Sequence, residues 1–270
     1  MSTLRTRSVV VHGHPVSYAH GGQGTPVLFL HGWGLGHRAY RAALARLARS
    51  GAEVWAPCLP GFGGTPDLTG AAFSLTGYGA WVWDFADAVG IEGPVTLVGH
   101  SFGGGVAITA AHANAERTAR LVCVNSIGGS SWTESKGLMR AIAERPLWDW
   151  GLHLQADVLP WRQLTHVLPV VLEDAVPNLL RNPRAVWRVG QLARRGDLSA
   201  ELAELRRRQV PVVILWGTKD EVLPHGCLVS LCEPLGQVDV VTVDGNHSWL
   251  ISDPKAFTEV FTNIVGLRTA

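Results

Sequence analysis

Charge of one sign is scarce in this chain: 23 Lys and Arg stand against 22 Asp and Glu, a formal net charge of +1 at pH 7. That balance argues against a nucleic-acid partner, whose affinity depends on clustered Lys and Arg displacing counterions. The densest basic run, Arg206-Arg207-Arg208, follows the helical pattern of Ser199 to Leu205 and suits a solvated helix C-terminus, where cations offset the backbone dipole. Cysteine is sparse as well. Cys58, Cys123, Cys227 and Cys232 show neither dense disulfide spacing nor a C-x-x-C pair, so reduced thiols are expected. With no H-E-x-x-H and no zinc-knuckle spacing, no metal and no cofactor are expected either. No uninterrupted apolar stretch approaches the roughly 18 residues of a membrane span. Met1 to Val11 carries Arg5 and Arg7 without the apolar region and small-residue cleavage site of a secretory signal, which predicts a cytoplasmic protein.

Apolar residues are plentiful, 47% of 270, enough for one large core with an insertion. The most informative run is Val95-Thr96-Leu97-Val98-Gly99-His100-Ser101-Phe102-Gly103-Gly104-Gly105. An apolar strand enters a G-x-S-x-G turn and leaves into helix-compatible Val106 to Ala113, the pattern of a nucleophile elbow. A serine hydroxyl is a weak nucleophile at neutral pH. The turn must therefore hold its Oγ clear of the backbone, near a base and near amide N–H groups that receive the developing oxyanion. A carboxylate and a His are expected downstream, in that order. Val212 to Trp216 runs into Gly217-Thr218-Lys219-Asp220, and Val238 to Val243 runs into Asp244-Gly245-Asn246-His247. Each polar residue sits just past a strand end, where open α/β sheets place their sites.

The remaining periodicity gives the organisation. Ser8 to Val11 and Val16 to Tyr18 read as a hairpin around His12-Gly13-His14-Pro15, and Pro26 to Leu30 as a buried strand. His37 to Ser50 reads as a helix, Glu53 to Ala56 as a strand, Tyr78 to Val89 as a helix and Leu121 to Val124 as a strand. Ser252-Asp253-Pro254 supplies a cap and an early proline for a closing helix over Lys255 to Val265. The alternation predicts a mostly parallel sheet with helices on both faces.

With these motifs in order, the chain resembles the α/β-hydrolase superfamily along nearly its whole length. The resemblance rests on His31-Gly32-Trp33-Gly34, Gly99-His100-Ser101-Phe102-Gly103, Gly217-Thr218-Lys219-Asp220-Glu221-Val222-Leu223-Pro224 and Gly245-Asn246-His247. It implies Ser101 as nucleophile, His247 as general base and then acid, Asp220 as the carboxylate orienting the imidazole, and the backbone N–H groups of Trp33 and Phe102 as oxyanion hole. Asp244, three residues before His247, is the rival to Asp220, and its place resembles a strand-end loop residue. Asn125 stands where some relatives carry the acid, but a neutral amide cannot stabilise an imidazolium as a carboxylate does. His31 is expected to brace the oxyanion loop, and His100 to point away from Ser101. Cys58 stands where relatives commonly carry Asp before a Pro-Gly-Phe-Gly loop, so a negative charge there is expected to be absent.

Between Ile127 and Arg208 strand-like runs vanish and helical stretches are punctuated by Pro146, Pro160, Pro169, Pro177 and Pro183. Residues 127–208 therefore read as a helical cap inserted between core segments 1–126 and 209–270. Trp132, Trp148, Trp150, Trp161 and Trp187, five of the eleven tryptophans, fall in it beside many leucines and valines, including Leu172, Leu179 and Leu180. This composition favours an apolar pocket, suited to acyl or aromatic groups. The expected activity is hydrolysis of a small-molecule carboxylic ester or thioester through an acyl-enzyme. The same layout serves cofactor-free perhydrolases and C–C bond hydrolases, and a retained triad with slow turnover would mark a small-molecule receptor. Ser101 argues against the Asp-nucleophile dehalogenases and epoxide hydrolases, and Trp33-Gly34-Leu35-Gly36 departs from the loop of proline iminopeptidases.

Overall fold

A computed structural model describes residues 4–129 and 161–267. Eight strands form one sheet: β1 (Arg5–Val11), β2 (His14–Gly22), β3 (Thr25–Leu30), β4 (Ala52–Pro57), β5 (Val95–His100), β6 (Thr118–Val124), β7 (Val212–Gly217) and β8 (Asp239–Val243), in the order β1-β2-β4-β3-β5-β6-β7-β8. β2 is antiparallel to β1 and to β4, and every other pairing is parallel. This is the expected α/β architecture. The hairpin turn is tighter than the sequence suggested. His12 and Gly13, both at positive φ (50° and 78°), make the two-residue turn that matches strand twist, and His14-Pro15 belongs to β2. Pro15 is tolerated there because β4 pairs only with Tyr18 to Gly22, so no ladder on that side needs its missing N–H.

Central strands alternate between two cores, as a period of two requires. Leu28, Leu30, Leu97, Leu121 and Cys123 face one apolar cluster, whereas Val27, Phe29, Val98, Val122 and Val124 face the other. Helices α2 (Leu75–Ala88) and α3 (Phe102–Ala113) cover the first face, and α1 (Arg41–Arg49) covers the second. The chain continues with α4 (Trp161–Arg181), α5 (Pro183–Arg194), α6 (Ser199–Arg207), α7 (His225–Leu235), α8 (Trp249–Ser252) and α9 (Pro254–Val265). α6 packs on α3 and α7, and α9 packs on α1. The closing helix starts as its sequence indicates, with Asp253 Oδ1 accepting from Ala256 N–H at 2.9 Å and Pro254 in the first turn.

Two helix starts depart from the periodicity. α2 begins at Leu75, three residues before the apolar pattern, because Ser74 Oγ caps Gly77 N–H at 3.0 Å. Gly77 and Gly79, weak helix formers, hide that start in sequence. α1 begins at Arg41, because residues 37–40 are drawn into turns, with Tyr40 N–H to His37 C=O at 3.3 Å and Arg41 N–H to Arg38 C=O at 3.0 Å. Pro169 and Pro177 do not break the chain into short helices as expected but lie inside α4. Each removes one backbone hydrogen bond at a cost of about 3 kcal/mol, which tertiary contacts of the helix must offset. Leu172, Leu179, Leu180 and Trp187 face solvent, so these members of the expected apolar lid do not turn inward. Pro146, Trp132, Trp148 and Trp150 lie outside the described residues.

Gly79 sets the approach of α2 to α3: a Cβ there would lie 2.7 Å from Ala110 N and from the carbonyl carbon of Thr109. Gly79→Ala is expected to lower unfolding free energy by about 1–3 kcal/mol through overpacking, read from urea denaturation midpoints at unchanged m-value.

Candidate active site

Ser101 sits in the sharp turn between β5 and α3 at φ 55° and ψ −118°. Three backbone bonds hold it there. Its N–H donates to Val124 C=O at 3.0 Å, and its carbonyl accepts from Gly104 N–H at 2.9 Å and Ile127 N–H at 3.3 Å. The turn closes only because Gly99 and Gly103 lack side chains. A Cβ on Gly99 would overlap the Gly103 carbonyl, and one on Gly103 would overlap the Leu30 carbonyl. From Val95 to Ala111 every residue is buried except Ser101, which is half-exposed. The turn thus presents a single hydroxyl to solvent.

Asp220 and His247 meet because the turns after β7 and β8 pack backbone to backbone. A Cβ on Gly217 would overlap the carbonyls of Gly245 and Asn246, while Thr218 N–H reaches Val243 C=O and Lys219 N–H reaches Gly245 C=O, both at 2.9 Å. His247 Nδ1 then lies 2.8 Å from Asp220 Oδ2, with side chains 3% and 1% exposed. Asp220 Oδ1 accepts from Val222 N–H (2.9 Å) and Leu223 N–H (2.8 Å), and Oδ2 accepts from Asn125 Nδ2 (2.5 Å). Burial pushes this carboxyl up, but the His247 charge and the donated bonds outweigh it and hold it below the ordinary carboxylate range. Asn125 is itself fixed, its Oδ1 accepting from Trp249 Nε1 at 2.9 Å and Gly217 N–H at 3.2 Å. Asp244 instead pairs with Lys219 at 2.7 Å, both side chains exposed.

The loop after β3 is tied to this site by neutral histidines. Leu59 N–H donates to His31 Nε2 at 2.8 Å and His31 Nδ1–H donates to Gly32 C=O at 2.9 Å, so His31 braces the loop. His100 Nε2–H donates to the His247 carbonyl at 2.9 Å. Its Nδ1 accepts the Tyr40 hydroxyl at 2.8 Å, and Tyr40 Oη in turn accepts Gly32 N–H at 3.0 Å. A backbone carbonyl can only accept, so it places the proton on Nδ1 of His31 and on Nε2 of His100 and leaves the other nitrogen of each neutral ring to accept. Burial lowers His31 to about 4, and burial reinforced by the His247 charge lowers His100 to about 3. Both ring nitrogens of His100 are thus engaged, and the residue links the loop after β3 to the backbone of His247. Composition gives no signal for Tyr40, which is separated from both partners in sequence.

Of the expected oxyanion donors, Phe102 directly follows Ser101 in the chain and Trp33 directly follows Gly32. Phe102 opens α3, whose first-turn N–H groups have no helical partner, and an ideal Cβ on Gly32, the residue before Trp33, would sit 3.5 Å from Ser101 Cβ. Cys58 is buried, and burial raises its thiol to about 11. A carboxyl from another element does stand nearby: an ideal Cβ on Gly36 would lie 3.4 Å from Cys58 Sγ and 3.3 Å from Asp174 Oδ2 of α4. A cavity of about 570 Å³ beside Arg5, Arg38, Arg41 and Glu173 does not include Ser101 or His247. Among the described residues no group of three or more His, Cys, Asp or Glu could hold a metal ion, and no helix is long and apolar enough to cross a membrane.

A family model described as "Alpha/beta hydrolase family" matches residues 27–260. An uncharacterized protein of Mycobacterium tuberculosis (strain ATCC 25618 / H37Rv) is 30% identical, covering 96% of this chain and 80% of its own. The pimeloyl-[acyl-carrier protein] methyl ester esterase of Pectobacterium carotovorum (strain PC1) is 30% identical over 88% of this chain and 93% of its own. Among solved structures, a thermophilic esterase from Thermogutta terrifontis superposes with a TM-score of 0.74 at 20% identity, covering 97% of this chain and 98% of that one. The last of these shows the fold alone.

The buried neutral histidines make stability fall on the acid side. His31 and His37 (both about 4) and His100 (about 3) are lowered from 6.5 chiefly by burial. Between those values and 6.5 the unfolded chain binds more protons than the fold, so stability is full above pH 6.5 and declines as pH falls toward 4. Urea midpoints at pH 7, 6 and 5 are expected to decrease in that order. His100→Gln is expected to be less stable at pH 7 and to lose less between pH 7 and 5; an equal loss contradicts the assignment.

Proposed function

The chain belongs to the alpha/beta hydrolase family, and from that premise we propose that it is a serine hydrolase cleaving a carboxylic ester or thioester with an apolar acyl or aromatic group. The observation that carries this reading is the buried His247–Asp220 pair, joined at 2.8 Å beyond the ends of β7 and β8, at the same C-terminal edge of the sheet as Ser101 after β5. The name of the methyl ester esterase relative supports the same bond type. In this reading residues 127–208 serve as the cap, and the substrate is a small molecule.

His247 Nδ1–H donates to Asp220, which leaves Nε2 with the lone pair needed to accept the Ser101 proton. Oγ adds to the substrate carbonyl carbon, the C=O π electrons move to oxygen, and the Trp33 and Phe102 N–H groups receive the oxyanion. The imidazolium, stabilised by the negative charge on Asp220, returns the proton to the leaving oxygen or sulfur as its bond to carbon breaks. Water then adds to the acyl-enzyme by the same route, His247 taking its proton and returning it to Ser101 Oγ, and the carboxylic acid departs. Asp220 carries charge through the neutral range because its carboxyl is held low, so the stabilising field is present whenever His247 is protonated in the cycle.

A p-nitrophenyl ester series from acetyl to long acyl tests the reading. Wild type is expected to turn over with a chain-length optimum. Ser101→Ala is expected to lose kcat on the order of 10⁶-fold and Asp220→Asn roughly 10⁴-fold, by analogy with serine proteases. Asp244→Asn, which removes an exposed ion pair, should stay within about twofold. Retained activity in a folded Ser101→Ala protein overturns the assignment.

A further inference from the structure

The oxyanion loop is fastened from outside the sheet. Trp33 Nε1–H donates to Val186 C=O of α5 at 2.7 Å. Asn178 Nδ2 of α4 donates to Gly34 C=O at 2.9 Å and Leu35 C=O at 3.3 Å, while its Oδ1 accepts Gly63 N–H at 2.8 Å. One helical turn earlier, Asp174 Oδ2 accepts Ala39 N–H at 2.8 Å and Gly36 N–H at 3.1 Å. Between Gly32 and Ala39 the loop's own backbone bond is the longer Leu35 N–H to Gly32 C=O, at 3.3 Å. Gly34 stands at φ 76°, so the chain reverses direction just after Trp33.

The orientation of α4 is informative in itself. Asp174 and Asn178, four residues apart on one face, are 9% and 5% exposed, whereas Leu172, Val176, Leu179 and Leu180 of the same helix are 43–76% exposed. Burying a carboxylate and an amide while leucines face water is unfavourable unless the polar groups are fully bonded, and here their partners are the backbone of the oxyanion loop and, for Asn178 Oδ1, the N–H of Gly63. Burial raises the Asp174 carboxyl, against the two backbone N–H bonds and Arg38, which lower it.

We propose that Asp174 and Asn178 are positioning residues for the oxyanion hole: α4 fixes the backbone on the C-terminal side of Trp33, and thereby the direction in which the Trp33 N–H points. The proposal rests on the ester-hydrolysis reading above. It makes the hole a joint product of core and inserted helices, so that a shift of α4 changes transition-state stabilisation and leaves ground-state binding nearly intact.

The test compares Asp174→Leu, which removes both acceptors, with Asp174→Asn, which keeps a carbonyl oxygen for the two N–H groups, and with Asn178→Ala as an independent break of the same latch. Folding is matched by thermal unfolding. Asp174→Leu and Asn178→Ala are expected to lower kcat on p-nitrophenyl esters by about 10- to 100-fold, less than outright loss of an oxyanion donor, with KM within about threefold. Their affinity for a trifluoromethyl ketone, which forms an oxyanion on the serine, should fall in step with kcat, and amide exchange in a 32–40 peptide should accelerate. Asp174→Asn should recover most of each effect. Faster exchange with unchanged kcat and inhibitor affinity, or a loss carried by KM, overturns the proposal alone. A wild type that neither turns over esters nor binds the ketone overturns the ester reading, and the positioning role with it.

Discussion

The backbone of Ser101 is the constraint on which the rest of the structure depends. At φ 55° and ψ −118° a side-chain-bearing residue is strained by about 1–3 kcal/mol and persists only where its surroundings dictate it. They do so here from three directions: β6 through Val124, the first turn of α3 through Gly104, and the chain after β6 through Ile127. Gly99 and Gly103 are then required by contact, because neighbouring carbonyls occupy the space a Cβ would fill. The parallel order β3-β5-β6-β7-β8 follows the same logic, since it brings the C-terminal ends that carry the Gly32–Ala39 loop, the serine, Asn125, Asp220 and His247 to one edge of the sheet.

Around that turn the polar groups are dry and almost all uncharged. His31 and His100 are held neutral by burial, and the Cys58 thiol is pushed up to about 11. The Tyr40 phenol is kept protonated by the same cause. Asp220 is the exception, and four donors satisfy it: two backbone N–H groups, the Asn125 amide and His247. A buried carboxylate with that many donors keeps its charge. In low dielectric one fixed negative charge acts on its imidazole partner with little screening. Neutral neighbours matter as much as the charge itself, because a protonated His100 would oppose a positive charge on His247, whose ring centroid lies 4.9 Å away.

Much of this was legible in the residues. The sheet and the positions of Ser101, Asp220 and His247 at strand ends follow from local pattern, since apolar runs ending in Gly-rich or polar turns encode both the strand and what stands at its end. In the fold Asp220 lies against His247, and Asp244 pairs with Lys219 at the surface. What escaped it was carried by tertiary contact. Tyr40 and Asn178 bond to groups 60 and 144 residues away, and nothing local marks them. The inward face of α4 ran against its composition: apolar residues predicted a lid turned inward, but Asp174 and Asn178 are buried and Leu172, Leu179 and Leu180 are exposed. The start of α2 was hidden by glycines that packing requires, and the start of α1 by turns that draw residues 37–40 out of the helix. Prolines at 169 and 177 read as breaks, yet the helix continues through them.

The central claim is covalent chemistry at one side chain, and trapping the acyl-enzyme tests it most directly. Rapid acid quench of the protein turning over an activated ester, followed by intact-mass and peptide mass spectrometry, reads the adduct and its position. The account predicts one acyl group per chain on Ser101, accumulating before steady state and absent in His247→Ala. Turnover with no adduct at Ser101, or acylation at another residue, would contradict it.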